Sequence, residues 1–227
     1  VLSRTPECCA CGCRTAANGG IHPQDAAALR SWFAEKNTVL LAGPGLGEGA
    51  GPVCNALLGK KAPWSAAVLD ADALNALAAG KIKGPLPDQT VITPHPGEAA
   101  RLLDCTVGEV QADREAAARR LAGMYHCIAV LKGRGTLIAT PGGEVYHNPT
   151  GSAGLAKGGS GDILAGLLSG LLAAGLKQGR TAEDAAIAAV WLHGAAGDRC
   201  AKRLGMAAML PHDIFADLGA IFAELER

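Results

Sequence analysis

Three observations predict a layered α/β fold with a mainly parallel central sheet. Four short apolar runs, Val39–Ala42, Ala66–Leu69, Thr90–Ile92 and Ile128–Leu131, have the near-unbroken hydrophobicity of parallel strands covered on both faces. Helical patterns separate most of these runs, and that alternation defines βα units stacked side by side. Each run also ends in a turn that no regular element could hold: GPGLG, DAD, PHPGE and KGRGT. Ligands of such sheets lie beyond the carboxyl ends of the strands, so the four turns are expected to open onto one edge.

The elements follow in chain order. Residues 1–20 have little periodicity and open VLSRTPE, without Met. Residues 22–37 read as an amphipathic helix with Ala28, Leu29, Trp32 and Phe33 on one side. After the first strand and GPGLGEG, a helix is expected over 50–58. Two prolines in TPHPGE forbid continuation of strand or helix, which puts His95 and Glu98 on a rigid loop. Thr106 and Glu109 have capping-box spacing before a helix running through Arg120. Residues 132–151 carry a hairpin with turns at Arg134-Gly135 and Pro141-Gly142-Gly143. Two helices close the chain, over about 182–202 and 213–225. No linker, composition break or repeat divides residues 1–227, which read as one domain.

A chain of 227 residues is long enough for a sizeable core. Its 21 basic and 21 acidic residues balance, which argues against a nucleic-acid or membrane surface. The longest apolar helix, over 163–174, is interrupted by Gly166 and Gly170 and is too short to span a bilayer. With no visible signal peptide, a cytoplasmic location is expected. Cys8, Cys9, Cys11 and Cys13 cluster near the start, but no second CxxC pair or nearby histidine completes a zinc pattern. Reduced thiols, mostly packed as small apolar groups, are the reading that follows.

Residues 148–175 are the most informative stretch: NPTGSAGLAKGGSGDILAGLLSGLLAAG. Gly158, Gly159 and Gly161 permit backbone conformations in which successive N–H groups converge. A helix over about 162–174, stopped by Gly175, adds unsatisfied N–H groups and a positive dipole end. Together with Ser160 they describe an anion hole suited to phosphate, with Asp162 at its mouth. A carboxylate beside phosphate has one common use, proton abstraction from a hydroxyl nucleophile. The alternative is a Gly-rich turn into a core helix, with Asp162 a helix cap.

The stretch resembles the nucleotide-site motif of the ribokinase-like superfamily. NPTG followed by LAKGGSGDILAG is similar, more narrowly, to the ADP/ATP-dependent (S)-NAD(P)H-hydrate dehydratases, which repair hydrated nicotinamide cofactors. GPGLG, VLDADALNAL, VITPHPGE, VLKG, NPTG, GGSGDILAG, LHGAAGD and PHDI all occur in family order, from about residue 39 to 225. Ser152 departs from the pattern, since relatives often carry Asn there. Relatives ordinarily begin with a βα unit bearing a Gly-rich turn, so the resemblance implies a three-layer α/β/α domain lacking that first unit.

The resemblance also implies roles. Gly45 and Gly47 would approach the substrate closely, or form only a tight turn. His95 resembles the substrate-contacting histidine, and otherwise is a surface loop residue. Glu98 falls where an acid helps hold magnesium through water, or else is a helix N-terminal acid. Lys132, Gly133, Arg134, Gly135 and Thr136 resemble the nucleotide-binding segment, as do Gly158, Gly159, Ser160 and Gly161. Asp162 would be the catalytic, hydrate-contacting base. Asp70 and Asp72 read as substrate-edge residues or, preferably, structural caps. Asn148 and Thr150 would shape their loop, and His193 and Asp198 would pack a helix against the site. The implied reaction converts (S)-NADH- or NADPH-hydrate to NADH or NADPH at the expense of ADP or ATP, with Mg2+. An NAD(P)H-hydrate epimerase is the implied functional partner and a homo-oligomer, tetramer favoured, the implied assembly. A vitamin-alcohol kinase of the same superfamily and a nucleotide-binding remnant without activity are the alternatives.

Overall fold

The computed structural model describes residues 8–17, 19–32, 38–58, 63–83 and 85–227. Its sheet has six strands in chain order: β1 (Val39–Ala42), β2 (Ala66–Leu69), β3 (Thr90–Ile92), β4 (Ile128–Leu131), β5 (Leu137–Ala139) and β6 (Val145–His147). β1 to β4 pair parallel, with Leu41 opposite Val68 and Val68 opposite Val91. The expected hairpin turns then add β5 and β6 antiparallel. The sheet is therefore mainly parallel, as its apolar runs predict.

Period-two alternation divides the strands between two cores. Ala67, Leu69, Ile92, Ala129 and Leu131 face one layer, formed by α1 (Pro23–Trp32), α2 (Ala50–Leu58), α3 (Asp72–Ala78), α4 (Pro96–Leu102), α5 (Val107–Ala112) and α6 (Arg114–Tyr125). Ala66, Val68, Val91, Ile128 and Val130 face the other, formed by α7 (Ser160–Leu176) and α8 (Ala182–Leu204). α9 (Ile214–Leu225) then packs through Ile214, Leu218 and Ile221 against α8, around Leu192, Ala196 and Cys200. No helix among the described residues is long and apolar enough to cross a membrane.

Several expectations need correction. The first helix covers Pro23–Trp32, and Phe33 lies outside the described residues. β1 is not buried on both faces: among the described residues it is the outermost strand, and Leu41 is 36% exposed. The helix expected to run through Arg120 is two helices, because Asp113 leaves the helical region and caps α6 by accepting the Ala116 N–H at 2.9 Å. α7 does not stop at Gly175 but continues to Leu176, and the chain turns at Gly179, where φ is +74°. The final helix is preceded by a 3-10 turn at Pro211–Asp213. Of the cysteines, Cys54, Cys127 and Cys200 are buried, Cys105 is partly buried, and Cys8, Cys9 and Cys11 are exposed. The apolar-packing expectation thus holds for the scattered group and fails for the cluster.

α8 reaches the NPTG segment because Gly194 has no side chain. A Cβ there would lie 2.2 Å from Thr150 Oγ1 and 2.7 Å from the Thr150 carbonyl carbon, neither of which a flexible side chain could relieve. Thr150 Oγ1 donates to the Trp191 carbonyl at 2.9 Å, so loop and helix are stitched as well as packed. Gly194→Ala is expected to lower stability by about 1–3 kcal/mol, as overpacking commonly does. Chemical denaturation checks this, and an unchanged midpoint would show that the loop does not depend on the contact.

Candidate active site

The strand-end turns meet at one place. Lys132, one residue beyond β4, reaches across β3 so that Nζ lies 2.8 Å from Oδ1 of Asp70 at the end of β2. Asp70 is 2% exposed. Oε2 of Glu98, in the first turn of α4, lies 3.9 Å from the same ammonium group. The Lys132 N–H donates to the Pro94 carbonyl at 2.8 Å, tying the KGRGT and PHPGE turns together. The DAD and GPGLG turns are joined by Gly47, whose N–H donates to Asp72 Oδ2 at 2.8 Å.

A closer junction joins the same two turns at Gly43, where a Cβ would fall 1.7 Å from the Asp70 carbonyl oxygen. Only glycine lets β1 turn out against that backbone, and φ there is +131°. Gly45 and Gly47, the substrate-facing candidates, also have positive φ and look onto open space. The DAD turn carries its own strain. Ala71 sits at φ 47°, ψ −117°, with the Ala73 N–H donating to the Asp70 carbonyl at 3.1 Å. Those angles normally select glycine, and in other residues cost on the order of 1–3 kcal/mol.

α7 delivers the fifth turn. Gly161 lies against the ion pair: a Cβ on it would be 3.4 Å from Lys132 Nζ and 3.8 Å from Asp70 Oδ2. Gly159 caps the helix at φ +94°. The Ser160 N–H is taken by the Lys157 carbonyl at 3.2 Å, leaving the amides of Gly161 and Asp162 as the open donors of the first turn. Gly158 is exposed beside them, and Asp162 is exposed at the mouth. Asp162 also begins an otherwise apolar groove of about 460 Å³ between α7 and α9, lined by Ile163, Leu167, Phe215 and Phe222.

The remaining candidates divide into exposed and supporting groups. His95 is the N-cap of α4: Nδ1 accepts the Gly97 N–H at 3.0 Å, while Glu98 reaches back to the His95 N–H at 2.8 Å. That reciprocal box orients both side chains, and half of the His95 side chain stays exposed at the edge. Glu98 is buried, with Oε1 3.4 Å from His95 Nε2. Among the described residues no group of three or more His, Cys, Asp or Glu could hold a metal ion. Glu98, buried at this edge, would suit an ion that keeps most of its waters, as magnesium does, and not a caged one. In the KGRGT turn, Gly133, Arg134 and Gly135 are exposed and the Thr136 hydroxyl donates to the Gly133 carbonyl at 3.1 Å. Asn148 Nδ2 donates to the Thr150 carbonyl at 2.9 Å, and Asp198 accepts the Gly151 N–H at 2.9 Å, so these residues shape the loop.

His193 stands behind α7. Its Nε2 is buried without a partner, and burial, with Lys132 nearby, pushes its pKa down to about 4 against an opposing pull from the Ser160 backbone. The Ser160 hydroxyl oxygen is likewise buried without a partner. Sequence reasoning named His193 and Asp198 only as packing residues, ranked Asp70 as a cap, and passed over Gly43 and Arg114. The first glycine of GPGLG, directly at a strand end, was a usable signal. Asp70 and Arg114 had none, because their partners are distant in sequence.

A parallel sheet with its glycine turns, an acid and a helix N-terminus gathered at one edge defines a ribokinase-like α/β protein. The NAD(P)H-hydrate dehydratase family model matches residues 15–219. This chain belongs to that family. It is 49% identical over 146 residues to the ADP-dependent (S)-NAD(P)H-hydrate dehydratase of Neisseria meningitidis, covering 63% of this chain and 48% of that protein. It is 46% identical over 166 residues to the bifunctional NAD(P)H-hydrate repair enzyme Nnr of Moorella thermoacetica, covering 71% of this chain and 30% of that one. The chain thus spans less than half the length of either relative. The Bacillus subtilis ADP/ATP-dependent NAD(P)H-hydrate dehydratase, co-crystallised with ATP/Mg2+ and soaked with CoA, superposes with a TM-score of 0.77 at 29% identity, over 98% of this chain and 76% of that one. A ribokinase-like protein from Enterococcus faecalis also gives 0.77, at 28% identity, over 98% and 72%.

Two outcomes follow from this geometry. Asp70→Asn leaves the Lys132 ammonium half-buried and without its closest counter-charge, and breaking such a pair is expected to destabilise by about 3 kcal/mol. A thermal melt reads this, and an unchanged midpoint would mean that solvent screens Lys132 fully. His193 is neutral in the folded chain down to about pH 4, whereas an unfolded histidine takes its proton near 6.5. Its contribution is therefore complete above pH 6.5 and lost as pH falls toward 4, a difference of about 3 kcal/mol. Urea titrations across that range should show the loss in the parent chain and a flatter profile in His193→Gln. Parallel profiles would remove His193 as the cause.

Proposed function

We propose that this chain is an ADP-dependent hydro-lyase that converts (S)-NAD(P)H-hydrate to NAD(P)H. The observation that carries the proposal is the convergence of five turns on the Lys132–Asp70 pair beside the open amides of Gly161 and Asp162. Such an edge binds phosphate and holds a carboxylate within reach of it. Family membership supplies the substrate class.

Water is a poor leaving group, so the ring hydroxyl must first be activated. Asp162 takes its proton while the oxygen attacks the terminal phosphorus of ADP, and AMP departs. The amides at the start of α7 hold the transferring group and stabilise its charge. The ring nitrogen lone pair then expels phosphate, and loss of the neighbouring ring proton restores the double bond. Glu98 would hold magnesium through water, and the ion would supply charge neutralisation at the phosphates. Gly45, Gly47 and His95 border the hydrate, while Lys132 to Thr136 and Gly158 to Gly161 border the nucleotide. A homo-oligomer in the cytoplasm completes the reading, and the bifunctional repair enzymes among the relatives support a link to an NAD(P)H-hydrate epimerase.

Incubation with hydrated NADH and ADP tests this directly: absorbance of reduced nicotinamide should return as AMP and phosphate accumulate. A stable phosphate ester without that return would identify a kinase instead. Asp162→Asn should lower turnover by roughly a hundred- to ten-thousandfold while ADP still binds. Near-normal turnover in the folded variant would remove Asp162 from the role of base.

A further inference from the structure

Arg114 is placed where a cation is unfavourable. It is the first residue of α6, at the positive end of the helix dipole, and it is partly buried. No carboxylate pairs with it among the described residues. Its donors go to backbone oxygens instead: NH1 to the Arg134 carbonyl, and NH2 to those of Leu131 and Lys132 at 3.2 and 3.5 Å. Nε is buried without a partner. A Cβ on Gly133 would stand 3.0 Å from NH2, so the turn lies directly on the guanidinium.

A trans peptide points its N–H opposite to its C=O. The Leu131–Lys132 peptide obeys this across the turn, with its carbonyl on Arg114 and its N–H on the Pro94 carbonyl at 2.8 Å. By the same rule, drawing the Lys132 and Arg134 carbonyls back to Arg114 aims the Gly133 and Gly135 N–H groups outward. Neither N–H donates to a protein acceptor among the described residues. Two outward amides on a glycine turn, with Lys132 between them and α7, form a concave donor set for a phosphate oxygen.

We infer that Arg114 is a positioning residue: it holds the Lys132–Thr136 turn in the one orientation whose amides can grip the nucleotide's phosphates. The inference rests on the nucleotide-dependent reading above. Arg114 touches no ligand itself, so its loss should act on phosphate binding and leave the chemistry at Asp162 alone.

The test compares the parent chain with Arg114→Gln and Arg114→Lys by calorimetric titration with ADP and with adenosine, alongside steady-state kinetics and a thermal melt. Arg114→Gln should weaken ADP at least tenfold and raise its KM in step, with kcat within threefold and adenosine affinity unchanged. Arg114→Lys keeps the charge but loses the planar fork, and should fall in between. Free guanidinium should restore part of the ADP affinity in Arg114→Ala. ADP binding within twofold of the parent in both Gln and Lys variants would overturn the inference. So would equal weakening of adenosine and ADP, which marks general loosening of the fold. A parent chain that binds no ADP or ATP would instead sink the nucleotide-dependent reading, and the inference with it.

Discussion

The ion pair between Lys132 and Asp70 is the constraint around which this edge of the molecule is arranged. It spans two strand ends with β3 between them, and it is almost closed to solvent on the aspartate side. An isolated charge of either sign would be too expensive in that position, so the two residues must be brought together by the sheet before either is tolerable. Once paired, they form a floor on which Gly161 rests without a side chain between. The start of α7, with its two open amides, is thereby held at a fixed height above β2 and β4.

Support for that edge comes from behind as well as beneath. His193 is buried beside the Ser160 backbone in the first turn of α7, Asp198 fixes Gly151, and Thr150 is bonded to α8. All three supports reach the site through one helix, and that helix approaches closely because Gly194 faces the loop. On the other side of the sheet, Arg114 draws backbone carbonyls toward α6. The two helical layers thus act on the same row of turns from opposite faces. Binding groups that are mostly main-chain N–H can only be aimed in this way, since a peptide plane has no rotamer of its own.

Strain and unmet polarity gather at the same edge. Ala71 holds a backbone conformation suited to glycine between two aspartates that each make a cross-turn contact. The buried, unpartnered Ser160 hydroxyl and His193 Nε2 lie against the α7 terminus. Local disagreement between residue type and environment is thus concentrated at the edge that carries the proposed site.

The amino-acid sequence by itself determined the layers. Unbroken apolar strands and proline-bounded turns are local signals, and they placed β1 to β4 and the motif-bearing turns at the right residues. It also marked which turns are candidates for chemistry, because glycine, a terminal acid and a helix start are recognisable in GGSGD without knowing their neighbours. What only the tertiary structure decided was partnership. That Lys132 answers Asp70, that Gly43 clears the Asp70 carbonyl and that Arg114 orients KGRGT are contacts between residues some 20 to 60 positions apart. No propensity or spacing encodes them, since a side chain's partner is chosen by the packing of whole elements and not by the residues beside it.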